Sequence, residues 1–418
     1  MRHRRYLSFI IYHLSFSVAL ILLTACGGQR PPQSWAERLQ ENSTPDSLTF
    51  RYARLIHVEQ KEGCRVVYID NPWKSGKGLH TYILVPYDAP MPDDLPGGTV
   101  VRTPLRRSVV FTSVHCALID QLQATAQVAG VADLKYIKVP YVQEGVKSGR
   151  IADCGDGMSP VVEKIIDTES DAILLSPFEN AGGYGRMEDI NIPIIECAEY
   201  MEATPLARAE WMRFYGMLYG KEAEAERLFV QVETNYRALK QQAAMAADRP
   251  SVLVDKMAGS VWYVPGGRST IGQMLNDANA DYPWADDTHS GSLQLAFETV
   301  LERAGESDFW LFRYDCPTPI TLSQLLSEKD GYRMVRPVRS LLSTPTPLRG
   351  RVAEGQGGVD RGAGSEVSPQ IYGCNVTTSM FYEETPFRPD LLLQDFIKIL
   401  HPDIPNLPEP RYYEKVKR

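Results

Sequence analysis

Residues 204–247, TPLARAEWMRFYGMLYGKEAEAERLFVQVETNYRALKQQAAMAA, decide the architecture. Thr204 followed by Pro205 is a good N-cap with proline in the first turn. Apolar spacing runs through Tyr219, pauses at Gly220, and resumes from Lys221 to about Ala247. In that second piece Leu228, Phe229, Val232, Tyr236 and Leu239 share one face. About 27 residues rising ~1.5 Å each span roughly 40 Å, enough to bridge two lobes.

On both sides of this stretch strands alternate with helices, which implies parallel sheets covered on two faces. Before it, Ser108–Thr112, Asp171–Leu175 and Asn191–Ile195 are short strand-like runs, with helical spacing over Ala117–Ala129 and Met158–Thr168. Val128–Val131 and Lys135–Val139 form further candidate strands. After it come Ser251–Val254, helices over Ile271–Ala278 and Leu295–Ala304, the strand Asp308–Phe312, and a closing helix over Pro389–Leu400. Upstream, Arg65–Ile69 and Thr81–Val85 flank a turn-prone stretch and read as an antiparallel hairpin. The halves share a pattern: Glu163 heads a helix leading to Asp171 at a strand start, and Glu298 heads one leading to Asp308. The predicted fold is therefore α/β, with two Rossmann-like lobes bridged by one long α-helix and an N-terminal β-hairpin decoration.

The amino end points to a compartment. Arg2, Arg4 and Arg5 precede an apolar run from Phe9 to Leu23 that is shorter than the roughly 20 residues a membrane span needs. Leu23-Thr24-Ala25-Cys26 has the form of a bacterial lipoprotein processing site, so Cys26 is the expected lipidation site and the membrane is reached through its acyl chains. The expected layout is a signal peptide at 1–25 and a flexible tether at 26–49. A first lobe with its hairpin follows at 50–200, then the bridging helix at 201–247. The second lobe occupies 248–418, with a flexible loop at 343–369 that is rich in Gly, Pro and charge. The localisation that follows is the cell envelope, facing the periplasm.

The 418 residues are 44% hydrophobic with a net charge of −8. That suits ordinary globular cores and argues against a nucleic-acid partner. The cysteines other than Cys26 lie far apart without a C-x-x-C pair, so a zinc ribbon is not expected. Sequence cannot assign disulfides among them. There is no G-x-S-x-G elbow, H-E-x-x-H or P-loop, so catalysis is not expected. A secreted α/β hydrolase-like enzyme and an envelope lipoprotein without transport function are the alternatives.

Tyr200 to Trp211, YMEATPLARAEW, resembles the entry to the inter-lobe helix of periplasmic solute-binding proteins of cobalamin and iron-siderophore ABC importers. Gly145 to Ala181, Trp262 to Gly267, Tyr282 to Glu298 and Phe387 to Leu393 resemble the same family. The resemblance covers most of the chain from about Pro104, and the hairpin resembles a variant of the Bacteroides type. Ala207 stands where many members have glycine, and the 343–369 loop is unusual. The resemblance implies a monomeric, non-enzymatic carrier that captures a metal chelate (a corrinoid, haem or ferric siderophore) in the inter-lobe cleft and needs no cofactor. It also implies docking on an ABC permease dimer through one glutamate per lobe, and Glu163 and Glu298 fall at the matching positions. The bland alternative for both is helix-dipole stabilisation.

In open α/β sheets ligands lie beyond the carboxyl ends of the strands. The loops at those ends contribute His115, Phe178, Asn180, Tyr184, Arg186, Trp262, Tyr263 and Tyr314 as candidate ligand-binding residues, each with ordinary packing as its alternative. His115 could instead ligate the chelated metal axially, although a lone histidine is more often a structural residue. A metal-ion site from His80, His115, His289 and Asp286 or Asp287 lacks ligand spacing and is not expected.

Overall fold

The computed structural model describes residues 50–179, 183–343 and 370–418. Cys26, the signal and tether, Asn180 and the 344–369 part of the expected loop lie outside the described residues. No helix among the described residues is long and apolar enough to cross a membrane.

The chain enters as a strap, Phe50 to Leu55, and then forms a four-stranded sheet of β1 (Ile56–Lys61), β2 (Cys64–Asp70), β3 (Gly78–Pro86) and β4 (Thr99–Thr103). The expected hairpin is its β2–β3 centre. β1 adds an antiparallel edge, and β4 pairs parallel to β3 on the other side.

The first lobe follows: β5 (Ser108–Val110), α1 (Ser113–Gln121), β6 (Val128–Val131), α2 (Pro140–Lys147) and β7 (Ala152–Asp153). A two-residue hairpin, β8 (Gly155–Asp156) and β9 (Ser159–Pro160), precedes α3 (Val162–Asp167), β10 (Ala172–Leu175) and β11 (Ile194–Glu196). The parallel sheet has the order β11-β10-β5-β6-β7, so the chain reverses direction across the sheet between β5 and β10. Lys135–Val139 is not a strand. Asp133 takes a left-handed conformation (φ 55°) that turns the chain off β6 into a single 3-10 turn over Leu134–Tyr136. The helix expected from Met158 starts only at Val162, because Ser159 and Pro160 pair in the hairpin.

The helical stretch is divided into α4 (Pro205–Glu210), α5 (Met212–Tyr219) and α6 (Glu222–Ala244). Thr204 caps α4 by accepting the N–H of Ala207. Gly220, at φ 64°, ends α5 in the conformation that L side chains disfavour. A Cβ on Gly216 would lie 2.7 Å from that of Ala225, so glycine allows α5 and α6 to pack closely. With 23 residues, α6 is about 35 Å long.

The second lobe contains β12 (Val252–Val254), β13 (Met257–Ala258), β14 (Val261–Pro265), α7 (Thr270–Asp277), β15 (Ser292–Leu295), α8 (Phe297–Ala304), β16 (Phe309–Tyr314), α9 (Leu322–Glu328) and α10 (Arg336–Ser343). It continues with β17 (Gln370–Asn375), α11 (Phe381–Glu384), α12 (Pro389–Leu400) and β18 (Tyr413–Lys415). Its main sheet is β12-β16-β17-β18, parallel except for the last strand, and β13-β14-β15 form a small antiparallel sheet beside it.

The two strand-leading aspartates do the same work. Asp171 accepts the N–H of Arg107 (3.0 Å), just before β5, and its own N–H bonds back to the Arg107 carbonyl. Asp308 accepts the N–H of Ser251 (2.9 Å), just before β12, and returns its N–H to the Ser251 carbonyl. Each fixes the start of one parallel strand against its neighbour, so the repeated sequence pattern is a repeated structural device.

One apolar core runs through the extra sheet, both lobes and the helices between them, with Trp211, Phe214, Tyr215, Phe229 and Trp310 fully buried. Three glutamates of the helical layer hold the strap to this core. Glu210, fully buried, accepts the N–H groups of Arg51, Tyr52 and Ala53 at 2.7–2.9 Å. Glu202 accepts those of Arg54 and Leu55 and the Trp211 indole N–H, each at 2.9 Å. Burial pushes the Glu202 carboxyl above its ordinary range, against the pull of these donors. Glu233 takes the Arg51 guanidinium and the Tyr52 hydroxyl, both at 2.6 Å. Glu210→Ala is expected to cost about 3 kcal/mol or more in urea unfolding, because three strap N–H groups lose a charged acceptor. A loss within experimental error of zero would show that the strap is not held this way.

Candidate functional site

The carboxyl edges of the two main sheets face each other. Helix α1, which follows β5, packs against α11, which follows β17. Lys138, which follows β6, reaches across to donate to the backbone carbonyls of Val376 and Ser379, the latter at 2.8 Å. Its ammonium also lies 3.8 Å from Glu383, whose nearly enclosed carboxyl is pushed up mainly by burial.

The loops leaving these edges carry apolar side chains in solvent. In the first lobe they are Tyr136 after β6, Met158 in the β8–β9 hairpin and Phe178 after β10; in the second they are Tyr263 on β14 and Tyr382 after β17. Tyr136 is 63% and Met158 77% exposed. Four aromatics and one methionine are thus exposed on segments that follow the carboxyl ends of strands in the two sheets. Beneath Tyr382, Asp255 holds Arg313 in a two-pronged ion pair (2.9 and 2.6 Å), which keeps that guanidinium firmly charged despite burial.

Deeper in, the edge closes on a buried polar knot. Thr112 caps α1 by accepting the His115 N–H (3.2 Å). The His115 imidazole, fully enclosed, pairs through Nε2 with Glu199 (3.1 Å), and its ring lies 5.4 Å from that of Tyr215. Tyr215 in turn meets Phe387 of the second lobe edge-on, so the knot lies where the lobes join.

A cavity of about 740 Å³ opens beside this edge, between the extra sheet and the first lobe. His80 on β3 spans it. Its Nδ1 lies 3.1 Å from Glu196 at the end of β11, its Nε2 lies 2.8 Å from Thr99 on β4, and its ring stacks on Tyr82. The Tyr184 hydroxyl donates to the other Glu196 oxygen (2.7 Å), and burial raises that hydroxyl's pKa strongly, so it stays a neutral donor. Another cavity, about 930 Å³, lies between α6, α12 and residues 400–407. It borders the amino ends of β16 and β17 through Phe309 and Gln370, and so lies away from the facing edges.

The sequence candidates divide clearly. Phe178 and Tyr263 reach solvent at the facing edges, and Phe178 and Tyr184 line the 740 Å³ cavity. Arg186 is exposed and pairs with Glu163 (2.7 Å), holding that carboxyl below its ordinary range. Asn180 lies outside the described residues. Three candidates are core residues here, which corrects their expected placement on the cleft surface. His115 turns inward to Glu199. Trp262 is enclosed among Phe297, Trp310 and Tyr332, with its indole N–H on the Val254 carbonyl (3.0 Å). Tyr314 is buried, and its hydroxyl accepts the Ile320 N–H. His289 pairs with its neighbour Asp287 (3.0 Å), and no group of three His, Cys, Asp or Glu residues among the described residues is arranged to hold a metal ion. The six cysteines in the described residues are free thiols. Sequence reasoning missed Lys138, Tyr136, Met158, Tyr382 and the His80–Glu196 pair.

Two α/β lobes on a shared helical layer, with facing carboxyl edges, are the architecture of a two-lobed binding protein. The chain belongs to the periplasmic binding protein family, whose model matches residues 109–329. It is similar to two uncharacterised lipoproteins of Methanocaldococcus jannaschii. One is 28% identical over 251 residues, covering 58% of this chain and 59% of the relative; the other is 22% identical over 241 residues, covering 54% and 60%. The chain thus spans about three-fifths of the length of these relatives. Among solved structures it resembles the molybdate periplasmic binding protein MolA of Haemophilus influenzae (TM-score 0.52, 16% identity, 73% of this chain and 88% of that one). It also resembles an ABC transporter substrate-binding protein of Listeria monocytogenes (TM-score 0.50, 14% identity, 71% and 99%). At these identities the likeness is one of fold.

Lys138→Ala removes the cross-lobe donor. Amides of residues 376–384 should then exchange with deuterium about tenfold faster in hydrogen-exchange mass spectrometry. Unchanged exchange there would mean that the lobes meet without this contact.

Proposed function

We infer that the chain is the substrate-binding component of an ABC importer, held at the membrane through acylated Cys26. It takes a metal chelate, a corrinoid, haem or ferric siderophore, between the facing sheet edges. The observation that supports this reading is the meeting of the two carboxyl edges, α1 on α11 and Lys138 on the Val376 and Ser379 carbonyls. Tyr136, Met158 and Phe178 of one lobe and Tyr263 and Tyr382 of the other are exposed on the segments that follow those strands. Broad, partly apolar ligands are held by apolar surfaces with a few fixed polar groups, and the same strand ends carry Lys138 and the Asp255–Arg313 pair. Family membership supports the transport role, and the lipoprotein names of the curated relatives support the anchor.

Docking on a permease dimer through Glu163 and Glu298 fits the chain path. Each sits in the first turn of a helix that returns the chain to a parallel strand, α3 to β10 and α8 to β16. Such a helix starts at the carboxyl edge of its sheet, so both carboxylates belong to the cleft side, and both are exposed. Arginine–carboxylate pairs orient such contacts. Glu163 would exchange Arg186 for a permease guanidinium, trading one exposed pair for another.

Titrating the detergent-solubilised full chain with cyanocobalamin, haemin and ferric siderophores should give saturable binding for at least one. The Tyr136→Ala, Tyr382→Ala double variant should weaken that binding about tenfold or more. Glu163→Arg with Glu298→Arg should leave binding intact and abolish uptake through the cognate permease. No binding by any chelate would sink the cargo assignment; intact uptake in the charge-reversed variant would sink the docking assignment.

A further inference from the structure

The 740 Å³ cavity between the extra sheet and the first lobe has a makeup unlike that of the facing edges. Among the described residues, none from the second lobe lines it. One wall comes from residues 71–99, which precede the segment matched by the family model. Among the described residues three carboxylates border it, those of Glu179, Glu188 and Glu196, against the ammonium of Lys74 and the His80 imidazole that pairs with Glu196. Trp73 and the half-exposed Phe178 are among its lining side chains, together with Tyr184.

We propose that this cavity is a second binding site, for an organic cation carrying an amine or quaternary ammonium group. Ring faces attract a cation through their quadrupole, and the attraction strengthens as the cation loses water. The surplus of carboxylates adds long-range attraction and excludes anions of the same shape. The base of the site is already rigid. The Glu196 carboxylate is fixed between Tyr184 and His80, and its own N–H donates to the Tyr82 hydroxyl (2.8 Å), so this wall needs no reordering on binding. A cavity of about 740 Å³ is the size of a small-molecule site. Its described walls belong to one lobe and the extra sheet, and Phe178 is the one residue it shares with the facing-edge segments.

The test uses phenyltrimethylammonium and benzenesulfonate, matched aromatic ions of opposite charge, titrated into the detergent-solubilised full chain by ligand-observed NMR and calorimetry. The cation should bind saturably and the sulfonate at least about tenfold more weakly. Trp73→Ala should weaken the cation about tenfold. Lys74→Gln should strengthen it severalfold, a gain that misfolding cannot produce, and raised salt should weaken it. Met245→Ala, on the exposed end of α6, should change nothing. Equal binding of the two ions, no binding of the cation, or affinity unmoved by both Trp73→Ala and Lys74→Gln would overturn the proposal. Chelate binding at the facing edges is read in separate titrations, so either assignment can fail alone.

Discussion

The strap at 50–55, and with it the extra sheet it leads into, is held by a set of buried carboxylates gripping backbone N–H groups. Glu202 and Glu210 enclose five consecutive amides of the strap, and Glu233 takes the side chains of Arg51 and Tyr52. Burying carboxylates is costly unless their lone pairs are filled. Here the strap fills them, and the glutamates in turn satisfy amides that belong to no sheet or helix. Neither side is stable inside the protein alone. Their union seats the extra sheet against the helical layer and so places His80 next to Glu196.

A second constraint works on the lobes themselves. Asp171 and Asp308 each fasten a strand start to the neighbouring strand, one in each lobe. Parallel strands anchored at their amino ends deliver all their variable loops to the opposite edge. With α4, α5 and α6 between the lobes and α1 against α11, those two edges meet. The apolar loops, Lys138 and the first turns of α3 and α8 therefore gather on one side of the molecule without any local sequence signal for it.

Much of the fold was legible because it rests on local patterns. Thr204-Pro205, the pause at Gly220 and the apolar face of α6 mark the helical layer. The Glu–Asp pairing marks the repeat. The candidate site was legible only to the level of loops. Trp262 and Tyr263 are adjacent on β14, and strand geometry sends neighbours to opposite faces. Nothing local says which parity is inward; the aromatic cluster of Phe297, Trp310 and Tyr332, distant in sequence, decides it. His115 was assigned to the right loop, but Thr112 sets the start of α1 and thereby turns the imidazole toward Glu199, 84 residues away. Tyr136 was hidden by a run that reads as a strand and is bent instead by left-handed Asp133. The strap glutamates look like ordinary helix-surface acids, because their partners lie about 150 residues upstream.

The unbroken apolar core has a kinetic consequence. Two lobes that share one core cannot swing apart without exposing Tyr215 and Phe387, which meet edge-on where the lobes join, and that penalty rises with the area exposed. Large opening is thereby suppressed, which keeps the facing edges close to one shape. Little ordering entropy is then lost when a ligand arrives, and little strain is stored to expel it. Residence time becomes a property of the surface contacts alone, which loop substitutions can tune while the scaffold beneath them stays unchanged.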